Sequence, residues 1–73
     1  MPVSVQQVGQ TVRDVRKSLG VTQRQLAMAA GTGLRFIIDL EKGKPTCQLG
    51  TTLAVLQTLG IEVAFNKAGQ RAD

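Results

Sequence analysis

The chain has no histidine, tryptophan or tyrosine, one cysteine, and only two aromatic residues, Phe36 and Phe65, in 73 residues. Each shortage closes a route. A single cysteine, Cys47, forms no internal disulfide. A lone thiol without any imidazole supplies no ligand set for a transition metal. The commonest general base is missing, no serine or cysteine has a visible base, and the five acids form no identifiable pair. Glycine-rich phosphate loops are absent as well. The composition therefore excludes most enzyme chemistry, and no cofactor is expected. No apolar run approaches the roughly 20 residues that a membrane span needs. The opening Met1-Pro2-Val3-Ser4-Val5-Gln6 lacks the basic and apolar regions of a signal peptide. The expectation is a cytoplasmic protein in a reducing compartment, with no membrane partner.

A chain of this length buries little core. With disulfides and metals excluded, stability has to come from oligomerisation or from close packing of aliphatic helices. What the chain does carry is positive charge: the net charge is +4 and the isoelectric point is about 10.0. Seven of the nine basic residues precede Gly60, against three acids, so the charge belongs to the folded part and not to a tail. A compact basic domain suits a polyanion, most often nucleic acid.

The periodicity predicts four helices. Val5, Val8, Val12, Val15 and Leu19 recur at gaps of three and four, with Ser4 and Gln7 spaced as a capping box and Gly20 as a stop. Gly9 weakens that first helix. A second helix opens at Thr22-Gln23-Arg24-Gln25, another capping box, and turns Leu26, Ala27 and Ala30 inward before Gly31. A third runs from about Leu34 to Lys42, with Ile37 and Leu40 inside, and ends before Gly43-Lys44-Pro45. A fourth uses Leu49, Leu53, Leu56 and Leu59 as its inner stripe, with Thr46 or Gln48 as N-cap and Gly60 as stop. Beyond Gly60 the period changes to two. Ile61, Val63 and Phe65 share one face of a strand over residues 61–65, and residues 66–73 read as a flexible tail.

The segment Gln23 to Leu40 carries the functional signal. Ala27 stands where the third helix would cross the second, and a larger side chain there would separate them. Gly31, four residues on, allows the positive φ of a tight turn. Ile37, six residues further, fills the wedge between the helices. This is the packing pattern of a helix-turn-helix. An ordinary helical hairpin would account for Ala27 and Gly31 but not for the pattern as a whole.

Taken together, Thr22-Gln23-Arg24-Gln25-Leu26-Ala27, Ala30-Gly31, Ile37 and Leu40-Glu41-Lys42-Gly43-Lys44-Pro45 resemble the Cro/C1-type (XRE) repressors over residues 5–60. The ending Leu53-Ala54-Val55-Leu56-Gln57-Thr58-Leu59-Gly60 with its short strand resembles the HipB-type antitoxins more narrowly. The resemblance implies a mainly α, lambda-repressor-like domain of four to five helices spanning residues 1–65. Its C-terminal strand would pair across a homodimer through Ile61, Val63 and Phe65. It also implies a nucleoid-associated repressor that binds double-stranded DNA at a palindromic operator, with a HipA-like kinase toxin as partner.

The same resemblance places phosphate contacts at Gln23, Arg24, Thr32, Lys42 and Lys44, and base contacts on the third helix at Leu34, Arg35, Ile38 and Asp39. It also pairs Arg16 with Glu41 in a partly buried ion pair. Arg35 suits the O6 and N7 acceptors of a guanine, and apolar groups suit a thymine methyl. Asp39 suits either a cytosine amine or the orientation of Arg35 one turn away. Leu34, Phe36 and Ile38 depart from the small polar residues usual on this face, and that also fits an alternative in which the third helix binds protein. A stand-alone repressor with no toxin is a further alternative.

Overall fold

The computed structural model describes residues 3–67. Beyond Lys67, the tail anticipated over residues 66–73 lies outside the described residues. Four helices form: α1 (Val5–Ser18), α2 (Gln23–Ala30), α3 (Leu34–Glu41) and α4 (Leu49–Thr58). The capping boxes are made in full. Ser4 Oγ accepts from the Gln7 N–H at 3.1 Å while Gln7 Oε1 accepts from the Ser4 N–H at 2.8 Å. Thr22 and Gln25 do the same at 3.0 and 2.9 Å. These bonds satisfy donors that the first helical turn otherwise leaves without partners. The third helix stops one residue earlier than its pattern suggests, and Lys42 becomes its C-cap.

The core consists of Val12, Leu26, Ala27, Ile37, Leu40, Val55, Leu56 and Leu59, with Val8, Val15, Ala30, Phe36, Cys47 and Ile61 packed against it. Leu26, Ile37, Val12 and Val55 are the largest fully buried side chains. Each contributes about 1.5–3 kcal/mol relative to exposure. Helices α1, α2 and α4 enclose this core with α3; α3 packs on both α1 and α2, and α4 packs on α2. The result is a compact, mainly α helix-turn-helix domain.

Two sequence expectations are corrected. In α1 the buried line is Gly9, Val12 and Arg16. Val5 and Leu19, placed on the inner stripe by their spacing, are exposed. The stripe is rotated because α1 lays its backbone at Gly9 against the end of α3. A Cβ there would collide with the Leu40 carbonyl oxygen and stand 3.0 Å from that of Glu41. Gly9 is thus a contact surface and more than a weak point in a helix.

In α4 the inner residues are Thr52, Val55 and Leu56, followed by Leu59, whereas Leu49 and Leu53 face outward. This helix is apolar on two sides, so leucine spacing alone places Leu56 and Leu59 correctly but not Leu49 and Leu53. Residues 61–67 adopt no regular secondary structure, and no strand is formed among the described residues.

Candidate nucleic-acid interface

The turn between α2 and α3 is built from backbone bonds. Gly31 takes φ 74°, the left-handed conformation that Gly adopts without a Cβ penalty. The Gly31 N–H donates to the Met28 carbonyl at 3.3 Å, and the Thr32 N–H donates to the Ala27 carbonyl at 2.9 Å. This 5→2 and 6→1 pair is a Schellman closure. It reverses the chain within three residues, so that Ala27 and Ile37, both buried, meet under the crossing. The two helices are thereby held in fixed relation, as a surface that docks rigidly onto another requires.

That surface is organised by two carboxylates. Glu41, at the end of α3, receives Arg16 Nε at 2.6 Å and Arg16 Nη2 at 3.0 Å. The side chains are 10% and 5% exposed. Arg16 Nη1 also donates to the Val21 carbonyl at 2.8 Å, which ties in the loop leading to α2. The hydrogen bonds to Glu41 raise the Arg16 pKa above its ordinary value, burial opposes this, and Coulomb attraction to Glu41 adds to it. The guanidinium therefore stays charged at every working pH. Gln23 Nε2 donates to Glu41 Oε1 at 3.2 Å. The start of α2, the loop before it and the end of α3 thus share one anchor. The link from Gln23 to Glu41 has no sequence signal, because it spans 18 residues and depends on how two helices meet.

The second carboxylate is Asp39. Its Oδ1 lies 3.4 Å from Arg35 Nε, one helical turn back, and its Oδ2 lies 3.5 Å from Lys44 Nζ in the loop after α3. Spacing alone suggests the first of these pairings. The second follows from the turn after α3, in which the Lys44 N–H also donates to the Asp39 carbonyl at 3.1 Å.

The remaining anticipated site residues sort by exposure. Arg24, Arg35, Lys42 and Lys44 are exposed, whereas Gln23, Thr32, Leu34, Ile38 and Asp39 are half-buried. Phe36 is packed against the core. Arg24 and Lys42 make no ion pair among the described residues. The cationic groups therefore remain open to solvent, while the apolar side chains of α3 are largely turned in. Ile61 is half-buried, and Val63 and Phe65 are exposed.

Fold and site together define a helix-turn-helix domain. Residues 12–66 match the Helix-turn-helix family, and the chain belongs to it as a transcriptional regulator of the XRE type. It is 53% identical over 64 residues to an uncharacterized HTH-type transcriptional regulator, y4mF, of Sinorhizobium fredii. That match covers 88% of this chain and 84% of the relative. It is 37% identical over 57 residues to the immunity repressor protein of Bacillus phage phi105, covering 78% of this chain and 40% of the repressor. Among solved structures, a chain of the HipA-HipB-O2-O3 complex superposes with a TM-score of 0.82 at 25% identity, over 93% of this chain and 96% of that one. No helix among the described residues is long and apolar enough to cross a membrane.

Proposed function

We propose that this chain represses transcription by binding, as a homodimer, a palindromic operator in duplex DNA, and that it is the antitoxin of a HipA/HipB-like toxin–antitoxin module with a kinase toxin as second partner. The observation that carries the reading is the rigid α2–turn–α3 unit, from which the Arg35 guanidinium projects, 78% exposed. Leu34, Arg35 and Ile38 make up the base-reading surface, with Asp39 on the same face beside Arg35. Gln23, Arg24, Thr32, Lys42 and Lys44 flank it as phosphate contacts. Gln23 suits that role at a helix N-terminus, where free N–H groups favour an anion, and its bond to Glu41 holds the side chain in place.

Dimerisation is supported by an uncovered apolar groove of about 690 Å³ between α1, α4 and residues 61–65. Val8, Leu49, Leu53, Ile61, Val63 and Phe65 line it, and Phe65 is 90% exposed. A second copy related by a two-fold axis would pair the two 61–65 segments as antiparallel strands and cover both grooves. The toxin partner rests on the likeness to the HipA-HipB-O2-O3 complex. Likeness to a phage immunity repressor supports the second reading, a stand-alone repressor. The protein-docking alternative loses ground because α3 presents less apolar surface than its sequence suggests, with Phe36 against the core.

Selection from a random duplex library, followed by titration at several salt concentrations, tests the reading. The expected outcome is a palindrome whose half-sites lie about 10 base pairs apart. Three cations per protomer, Arg24, Lys42 and Lys44, give a log–log salt slope of about −5 for the dimer. Binding that ignores both sequence and salt would refute the repressor. Capture of a kinase-fold protein encoded in the adjacent reading frame separates the antitoxin from the stand-alone repressor.

A further inference from the structure

We propose that Asp39 is a positioning residue for base recognition: it acts through Arg35 and Lys44 and does not itself touch a base. The inference rests on the DNA-binding reading above. Both carboxylate oxygens are engaged within the chain, Oδ1 by Arg35 Nε at 3.4 Å and Oδ2 by Lys44 Nζ at 3.5 Å. The Asp39 side chain is only 18% exposed, against 78% for Arg35 and 53% for Lys44. A short side chain so covered, with two cations standing further into solvent, is poorly placed to reach a cytosine amine ahead of them.

The arrangement does suit a buttress. The Nε of Arg35 faces Asp39 in an ion-pair contact, which leaves the two terminal nitrogens as a free edge, and that edge matches the O6 and N7 acceptors of guanine. An unanchored arginine in solvent loses much rotamer freedom on binding, and a carboxylate one turn away reduces that loss. Lys44 offsets the negative charge that would otherwise face the phosphates. It is also tied back to Asp39 by its own backbone N–H at 3.1 Å. Asp39 thus sets the register between a residue that reads a base and a residue that grips the backbone, two roles that protein–DNA contacts usually separate.

The test is a double-mutant cycle on specificity. Dissociation constants are measured for the full chain, Arg35→Ala, Asp39→Ala and the double variant on the selected operator. The same set is measured on operators in which each G·C pair is exchanged in turn for A·T. Asp39→Asn, which keeps the shape but not the charge, provides a second variant should the alanine form fail to fold. The expected result is that Asp39→Ala lowers discrimination about tenfold at the same base pair that Arg35→Ala relaxes. In the Arg35→Ala background it should add nothing at that pair, the signature of coupled residues. Relaxation at a different pair, or a loss that persists undiminished in the Arg35→Ala background, would mean that Asp39 reads a base itself and overturns the proposal. Unchanged discrimination in both Asp39 variants overturns it too, while leaving the repressor reading intact. If the unmodified chain selects no operator at all, the repressor reading falls and this proposal falls with it.

Discussion

Gly9 sets two physical preferences against each other. Helix propensity favours alanine over glycine inside a helix by about 1 kcal/mol. Packing opposes it, because the added methyl would meet the carbonyl oxygens of Leu40 and Glu41. Those atoms are backbone and cannot rotate away, so packing should win. Gly9→Ala is expected to destabilise the domain by about 1–3 kcal/mol. In a domain this small each kcal/mol lowers the melting temperature by about 4–8 °C. A higher melting temperature would show that α1 and α3 separate at little cost. The Arg16–Glu41 pair makes a second residue-scale case. Breaking a buried pair from one side leaves the other charge uncompensated, so Glu41→Ala is expected to lose about 3–5 kcal/mol. A thermal melt checks this, and an unchanged melting point would remove the pair from the stabilising interactions. Since Arg16 has its pKa raised in the folded chain, its contribution is fully present below the ordinary arginine value. It should not vary across the working pH range.

At the scale of the element, α4 is the helix whose role depends on its surroundings. Its inward face, Thr52, Val55 and Leu56, completes the core. The Thr52 hydroxyl is satisfied by the Gln48 carbonyl at 2.8 Å, so burying it leaves no unmet bond. Its outward face carries Leu49 at 69% exposure together with Leu53. A helix that is apolar on two sides is stable only when both are covered. Leu53→Glu is therefore expected to shift a dimer toward monomer while leaving the helical content unchanged, since Leu53 is no part of the core. Sedimentation velocity with circular dichroism reads both. A variant that stays dimeric would take α4 out of the interface. Leucine spacing in the sequence detects that the helix is amphipathic in two directions but not which side faces in. That choice belongs to α2, against which α4 packs.

At the scale of the molecule, the charge layout and the uncovered groove bear on the same function. Arg16 is spent inside, on Glu41, and Arg35 and Lys44 share Asp39. Among the anticipated phosphate contacts, Arg24 at the start of α2 and Lys42 at the end of α3 are exposed cations without an ion pair among the described residues. One such domain offers few phosphate contacts. Two domains joined across the groove would double them and bring two α3 helices to successive major grooves, about 34–36 Å apart. Linking two half-site contacts raises affinity well beyond what either supplies alone. The salt slope and the palindrome are therefore expected of a dimer and not of a single chain.

The sequence by itself determined what depends on neighbours along the chain. Ser4 with Gln7 and Thr22 with Gln25 mark helix starts because a capping box closes within four residues. Gly31 marks the turn because a positive φ is a local demand. Ala27, Ile37 and Leu40 read as core because their spacing to one another and to Gly31 fits a single helix crossing, and all three are buried. The tertiary structure alone decided what depends on which surfaces meet. It turned α1 onto Gly9, put Val55 inside and Leu53 outside, drew Phe36 onto the core, and joined Gln23 to Glu41 and Lys44 to Asp39. A helical pattern states a period, whereas the rotation of a helix about its axis is settled by the shape of its partner. For α4, whose two sides are both apolar, the period leaves that rotation open.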